Sequence, residues 1–173
     1  MPKVLTAVQD SQRTIGLVRL HAKEWGIDPH KVGVGGFSAG GHLVAASSNA
    51  PTRLYRPIDA ADKLSCRPDF AVALYPGHLW HEETGMALNP TIKITKQTPP
   101  TFIVQAKDDP VDNVKNSEVY ALALKKAGIK YELHIFPQGR HAFGLRRTKM
   151  PITNWPNLML QWLQRIGITL HFI

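Results

Sequence analysis

Cysteine is almost absent from this 173-residue chain, in which Cys66 is the one example. No disulfide can form within the chain, and a metal site built from several cysteine ligands is excluded. Long apolar runs are also absent, since none approaches the roughly 20 residues that a membrane-spanning helix needs. The segment 1–6 lacks the apolar core of a secretory signal. We therefore expect a cytoplasmic protein with no membrane span, unless a longer precursor is secreted.

Acidic residues are outnumbered, with 13 Asp and Glu against 21 Lys and Arg and a formal net charge of +8. The basic residues are dispersed apart from short clusters at 125–126 and 146–149. No basic stripe with interleaved aromatic residues is present, so we expect no nucleic-acid partner. The charge is typical of a solvated basic surface, and a preference for acidic polymers stays open. Length and a 43% hydrophobic content predict a single domain over residues 1–173.

Apolar periodicity divides the chain into alternating helices and strands. Helices are predicted at 5–25, 39–47, 114–127 and 155–166, and strands at 31–35, 69–75, 101–106 and 131–136. Continuous apolar strands bounded by prolines, such as 69–75, are typical of buried parallel strands. The order predicts an α/β fold, a three-layer α/β/α sandwich with about four parallel strands flanked by helices.

The run Gly36-Phe37-Ser38-Ala39-Gly40 joins the first strand to the second helix. A GxSxG string alone is a weak signal, but this strand–turn–helix context is the one that a nucleophilic serine requires. We expect glycine at 36 and 40 because a Cβ at either position would collide with the neighbouring turn. Ser38 is the predicted nucleophile, and the alternative is a glycine-rich turn without chemistry.

Acidic residues and a histidine follow the last two predicted strands. Asp108, Asp109 and Asp112 come after the strand 101–106, and His141 comes after the strand 131–136. Because the carboxyl ends of parallel strands share one edge of the sheet, these groups should gather near Ser38. The chain order Ser…Asp…His is the order of the α/β-hydrolase triad.

Each of these groups has a predicted role in attack on an acyl group. His141 would accept the proton of Ser38, and a buried carboxylate would hold the imidazole in the required tautomer. Asp109 is favoured as the acid because it precedes a proline, while Asp108 and Asp112 remain alternatives. Asp112 has a second possible role as the N-cap of the following helix. The N–H of Ala39 is the predicted oxyanion donor.

Seven further histidines compete with His141 but lack its glycine-flanked loop after the last strand. His78 and His81 suggest a metal pair, but no third ligand accompanies them at a suitable spacing, so we expect no metal. The others are His21, His30, His42, His134 and His171.

The segments that carry the predicted groups, together with several others, resemble a known family, and the resemblance spans most of residues 5–166. The chain resembles α/β-hydrolase esterases of the acetyl-xylan-esterase-like and feruloyl-esterase-like branch, which is related to prolyl oligopeptidases. The resemblance implies ester hydrolysis through an acyl-enzyme without a cofactor, with Ser38 as nucleophile, Asp109 as acid and His141 as base. The matching segments are Glu24-Trp25-Gly26-Ile27-Asp28-Pro29, Gly36 to Leu43, Arg67-Pro68-Asp69-Phe70, Thr98 to Phe102, Asp108-Asp109-Pro110-Val111 and Gly139 to Leu145.

The sequence departs from that family before its first helix. Family members have about four additional strands there, and an HGGG-type loop that supplies the second oxyanion donor. No HGG string precedes Ser38, so the fold is expected to be an α/β-hydrolase shortened at its N-terminus. The strand 31–35 would then have an open edge, which favours association. We expect a homo-oligomer, a two-fold dimer in which a second copy or the N-terminal segment covers that edge, with the partner as a possible source of the missing donor.

Three functions are compatible with these observations. The favoured one is a serine esterase on short acyl esters, such as acetyl or feruloyl groups of plant polysaccharide. The second is a catalytically weak or inactive hydrolase-like module, because the expected oxyanion loop is missing. The third is a serine peptidase of the oligopeptidase type.

Overall fold

The computed structural model describes residues 2–170 and contains a four-stranded parallel sheet. Its strands lie in chain order, β1-β2-β3-β4, and Val72 pairs with Gly35 on one side and Phe102 on the other. The predicted four parallel strands are confirmed, and their carboxyl ends share one edge. The strands are β1 (Gly33–Phe37), β2 (Phe70–Leu74), β3 (Thr101–Ala106) and β4 (Tyr131–Phe136).

Five α-helices and three short 3-10 helices surround the sheet in the described part of the chain. No helix within residues 2–170 is long and apolar enough to cross a membrane. The 3-10 helices span Ala60–Lys63, Glu82–Thr84 and Pro151–Asn154. The α-helices are α1 (Pro2–Leu20), α2 (Ala22–Trp25), α3 (Ala39–Ser48), α4 (Lys115–Lys126) and α5 (Trp155–Arg165).

Side chains alternate across the sheet and form a separate core on each face. One core joins Ile103 of β3 to Val44 of α3 and Leu124 of α4. The other joins Phe102 of β3 to Trp162 of α5. This is the predicted three-layer α/β/α arrangement, with α3 and α4 on one face and α5 on the other.

The N-terminal helix differs from its prediction by one interruption. The helical period 5–25 is divided at His21 into α1 and α2. Gly26 ends α2 in the left-handed conformation, with φ of 66°, as expected for a residue that closes a helix. Helix α1 packs against α3 and the 3-10 helix Ala60–Lys63.

The first strand begins two residues later than predicted, at Gly33 rather than at residue 31. Val32 is held outside the strand because its N–H donates to the Asp69 carboxylate at 2.8 Å. At its other end β1 continues to Phe37, which pairs with Leu74. The strand therefore ends directly before Ser38, and among the described strands β1 pairs with β2 alone.

Candidate active site

Ser38 occupies a strained turn between β1 and α3. Its φ and ψ are 53° and −117°, a region that costs a residue with a side chain about 1–3 kcal/mol. The surrounding backbone holds it there. The Ser38 N–H donates to the Leu74 carbonyl at 3.0 Å, and the Ser38 carbonyl accepts the N–H groups of His42 and Gly77. The turn therefore presents the Ser38 hydroxyl at the carboxyl edge of the sheet.

The glycines around Ser38 have different steric roles. A Cβ on Gly36 would lie 2.4 Å from the Gly40 carbonyl oxygen, as expected. The same expectation for Gly40 is wrong, because a Cβ there would meet nothing within 4 Å. Gly41 has the second tight position instead, since its Cβ would lie 2.9 Å from the Pro76 Cα. The close contact is thus between α3 and the chain that leaves β2, which local sequence does not reveal.

The structure brings Ser38, His141 and Asp109 into one chain of hydrogen-bonding groups. Ser38 Oγ lies 3.1 Å from His141 Nε2, and His141 Nδ1 lies 2.9 Å from Asp109 Oδ2. With the proton on Nδ1, the imidazole donates to the carboxylate and accepts the serine hydroxyl proton. This is the arrangement of nucleophile, base and orienting acid that acyl transfer uses.

Asp109 is buried and its carboxylate is fully satisfied. Its side chain has no solvent exposure. One oxygen accepts the N–H groups of Val111 and Asp112 at 2.8 and 3.0 Å, and the other accepts Gln105 Nε2 at 3.2 Å besides His141. Four donors thus hold the carboxylate in its orientation toward the imidazole.

The two alternative acids have different positions. Asp108 Oδ1 accepts the N–H groups of Gly139 and Arg140 at 2.9 and 2.7 Å. It therefore ties the loop after β3 to the loop that carries His141, and its carboxylate is directed to backbone groups there.

Asp112 lies beside the nucleophile. Its Oδ2 is 3.3 Å from Ser38 Oγ and 3.8 Å from His141 Nδ1. The expected N-cap role of Asp112 is wrong, because Asn113 Oδ1 accepts the N–H of Lys115 at the start of α4. The Ser38 hydroxyl therefore has two possible acceptors, one imidazole and one carboxylate.

Two residues that sequence reasoning missed support the histidine and the acid. The Tyr75 ring packs edge-on against His141, with centroids 5.0 Å apart, and against Phe143 at 4.5 Å. Burial raises the pKa of Tyr75, so its phenol stays neutral. Gln105 is one of two polar residues in the buried strand β3, the other being Thr101 at its first position, and a long polar side chain at this place was the available sequence signal. Its Oε1 accepts a hydrogen bond from Ser117 Oγ, with 3.0 Å between the two oxygens. This bond fixes the orientation of the amide that donates to Asp109.

The predicted oxyanion donor and two of the other histidines have the following positions. Ala39 is the first residue of α3, so its N–H is at the positive end of that helix. His42 Nδ1 lies 3.2 Å from the Gly77 carbonyl oxygen, and burial lowers the pKa of His42. Within residues 2–170, no cluster of three or more His, Cys, Asp or Glu could hold a metal ion. His171 lies outside the described residues.

The chain is similar to known proteins over most of its length. The model of the prolyl oligopeptidase family matches residues 9–167. An acetylxylan esterase of Xylanibacter ruminicola is 31% identical over 159 residues, which cover 79% of this chain and 31% of the relative. An endo-1,4-beta-xylanase B of Butyrivibrio fibrisolvens is also 31% identical, with coverage of 78% of this chain and 24% of the relative.

Solved structures of hydrolases share the fold. An acetyl ester-xyloside bifunctional hydrolase from Caldicellulosiruptor lactoaceticus superposes with a TM-score of 0.80 at 37% identity, covering 93% of this chain and 66% of that one. A thermophilic esterase of Thermogutta terrifontis, bound to propionate, superposes with a TM-score of 0.80 at 27% identity, covering 96% of this chain and 67% of that one. The chain spans about a third or less of the curated relatives' lengths, 31% and 24%. It belongs to the prolyl oligopeptidase family, with the α/β-hydrolase fold of the acetylxylan-esterase-like proteins.

Proposed function

We propose that this chain is a serine carboxylic-ester hydrolase that acts on short acyl esters. The observation that supports the proposal best is the hydroxyl of Ser38, a residue with positive φ, at 3.1 Å from His141 Nε2, with the buried Asp109 behind the imidazole. Similarity to acetylxylan esterases and to a propionate-bound esterase supports the choice of a short acyl group.

The proposed reaction has two half-reactions through an acyl-enzyme. Ser38 Oγ forms a bond to the acyl carbon while its proton moves to His141 Nε2, which then protonates the departing alcohol. Water then gives a proton to His141 Nε2 as its oxygen bonds to the acyl carbon. The bond between that carbon and Ser38 Oγ breaks, His141 returns the proton to Ser38 Oγ, and the acid is released. Asp109 stabilises the imidazolium, and the Ala39 N–H stabilises the oxyanion, a donor typically worth about 2.7–4 kcal/mol.

The substrate class is proposed from the relatives together with the site. The relatives include an acetylxylan esterase and a xylanase, and one structural neighbour is an acetyl ester-xyloside hydrolase. We therefore propose acetyl or feruloyl groups on plant polysaccharide as the ester. Short, accessible groups suit a half-buried Ser38 at the carboxyl edge of the sheet.

Hydrolysis of p-nitrophenyl acetate and p-nitrophenyl butyrate tests the proposal. The wild-type chain should hydrolyse both, Ser38→Ala should lose this activity, and the exposed control Ser65→Ala should keep it. Equal rates for wild type and Ser38→Ala would refute the esterase proposal. A folded wild-type chain without turnover would instead support the alternative of an inactive binding module.

Peptide hydrolysis is the second candidate, and the match to the prolyl oligopeptidase family supports it. The same three residues would act, since amide and ester hydrolysis use the same acyl-enzyme chemistry. An N-blocked Gly-Pro p-nitroanilide separates the two. Turnover of the anilide at a rate comparable to that of the acetate ester favours the peptidase, while turnover of the ester alone favours the esterase.

We propose further that a second copy of the chain covers the edge of β1. Two observations support a covered edge. Among the described strands β1 pairs with β2 alone, and an apolar groove of about 280 Å³ beside it is lined by Phe37, Val72 and Met159. Phe37 is 41% exposed there. Sedimentation velocity at micromolar concentration should give a dimer, and a folded monomer under these conditions would contradict it.

A further inference from the structure

A cavity of about 560 Å³ lies beside His141, between the loop after β4 and the 3-10 helix Pro151–Asn154. Its lining comes from residues 139–153, and His141 forms part of that lining. None of the described residues that line the cavity is an Asp or a Glu. Three of the lining residues are arginines: Arg140, Arg146 and Arg147. The last two belong to the basic cluster 146–149.

These arginines form no ion pair within the described residues, a property that they share with Arg56 and Arg67 outside the cavity. Four arginines elsewhere form ion pairs with carboxylates: Arg13, Arg19, Arg53 and Arg165. None of the ion pairs found within residues 2–170 includes an arginine of the cavity. Arg146 donates to the carbonyl of Ala142, which is a neutral partner. The nearest carboxylates, Asp108 and Asp109, contact backbone N–H groups and the His141 imidazole, so the three guanidinium groups of the cavity form no ion pair within the described residues.

The position of the cavity relates it to one part of an ester substrate. In the proposed reaction His141 protonates the departing alcohol, so the alcohol part of the ester leaves next to this imidazole. A cavity that His141 itself lines is suited to that part. Phe143 and Ile152 add apolar surface to it, as is usual where a few polar groups orient a ligand.

We propose that this cavity binds a carboxylate on the alcohol part of the ester, so that the favoured substrate is an acylated acidic sugar such as a uronate. The inference rests on the proposed ester hydrolysis and names its substrate class. A guanidinium binds a carboxylate through two parallel N–H···O bonds. Arg140, Arg146 and Arg147 line the cavity and form no ion pair within the described residues, so their guanidinium groups can supply such bonds.

A matched pair of acetate esters tests the proposal. 4-Acetoxybenzoate carries a carboxylate on its alcohol part, and 4-acetoxybenzamide is its neutral counterpart. The quantity measured is the ratio of kcat/KM for the anionic ester to kcat/KM for the neutral one. In Arg147→Gln this ratio should fall about fivefold, the upper range for a partly exposed charge pair. It should fall further in the double variant Arg146→Gln/Arg147→Gln, and the wild-type ratio should decrease as salt screens the charge.

The control is Arg56→Gln, which removes the same charge from an exposed position outside the cavity and should leave the ratio unchanged. A ratio that Arg147→Gln and the double variant leave unchanged would overturn the proposal, as would an equal fall in Arg56→Gln. p-Nitrophenyl hemisuccinate, compared with p-nitrophenyl butyrate, places the carboxylate on the acyl part. An arginine-dependent preference for the hemisuccinate alone would also overturn the alcohol-side assignment.

Binding separates this inference from the proposed function. Titration of 4-acetoxybenzoate into Ser38→Ala, followed by NMR chemical shifts, needs no turnover. Weaker binding in Ser38→Ala/Arg147→Gln supports the subsite even if Ser38 proves not to be the nucleophile. Equal binding in the two proteins counts against the subsite even if Ser38→Ala abolishes hydrolysis.

Discussion

Two regions of the molecule bury a carboxylate and surround it with hydrogen-bond donors, but the charged partners of the two carboxylates differ. Under α1, the Asp62 side chain has no solvent exposure and contacts Arg13 at 3.1 Å and Arg53 at 2.9 Å. The Tyr55 hydroxyl also donates to it. At the carboxyl edge of the sheet, the equally buried Asp109 contacts the imidazole of His141 at 2.9 Å.

The difference lies in what the partner does next. The guanidinium groups around Asp62 are permanent cations whose charge compensates the carboxylate. That network therefore has a structural role. The partner of Asp109 is an imidazole, which can accept a proton on one nitrogen while the other donates to the carboxylate. Its second nitrogen reaches a hydroxyl on a strained turn. The first region therefore stabilises α1 against the rest of the chain, and the second is arranged for proton transfer.

The largest effect is expected from Asp109→Asn. Because an amide can donate where the carboxylate only accepts, the imidazole would lose its tautomer and the charge that stabilises its cation. We expect kcat/KM for p-nitrophenyl acetate to fall by about 10³–10⁴-fold, as for other triads of this kind. Asp59→Asn, at a half-exposed position outside the site, is the control and should keep wild-type kcat/KM. A loss below tenfold in Asp109→Asn would contradict the assignment of the acid.

A smaller effect is expected from Asp112→Asn. Its carboxylate lies 3.8 Å from His141 Nδ1, outside hydrogen-bond distance, so it contributes charge to the imidazolium without fixing its tautomer. We expect a loss in kcat/KM of about tenfold, consistent with a partly screened charge at that distance. Asp108→Asn tests the third acid in the same assay. A loss in either variant as large as that in Asp109→Asn would move the role of the acid to that residue.

In the other region the expected effect is on stability. Asp62→Asn would leave the half-buried Arg53 without its ion pair and Arg13 with Asp59 alone, a destabilising change. Asp59 also pairs with Arg13, but its side chain is 48% exposed. Thermal unfolding followed by circular dichroism should show a larger decrease in Tm for Asp62→Asn than for Asp59→Asn. Equal decreases would show that the buried network does not hold α1 in place.

The pH dependence of that stability is the smallest expected effect. Burial raises the pKa of Asp62, but hydrogen bonds from Tyr55, the Ile58 N–H and Arg13 outweigh it and bring the pKa from 3.8 to about 2. A lowered pKa in the folded state stabilises the protein above pH 4, and this contribution is lost as the pH falls through 2. The Tm difference between wild type and Asp62→Asn should therefore narrow from pH 5 to pH 2. A constant difference would contradict the lowered pKa.

The sequence predicts the site better than it predicts the contacts that support it. Ser38, Asp109 and His141 each follow a strand, and parallel strands bring their carboxyl ends to one edge, so their meeting follows from topology. Asp112 beside Ser38, Tyr75 against His141 and Gly41 against Pro76 depend on how loops pack after the sheet forms. Local patterns carry no information on such contacts. For that reason the sequence suggests a helix cap as one possible role of Asp112 and predicts a steric collision for a Cβ at Gly40, and the structure shows neither.

Covalent labelling of the nucleophile tests the central claim most directly. Diisopropyl fluorophosphate reacts with a serine only where a base activates it and an oxyanion site accepts the charge. The account predicts one label per wild-type chain, located at Ser38 by peptide mass spectrometry, no label in Ser38→Ala and much slower labelling in Asp109→Asn. A folded wild-type chain that takes no label, or one labelled at another residue, would contradict it.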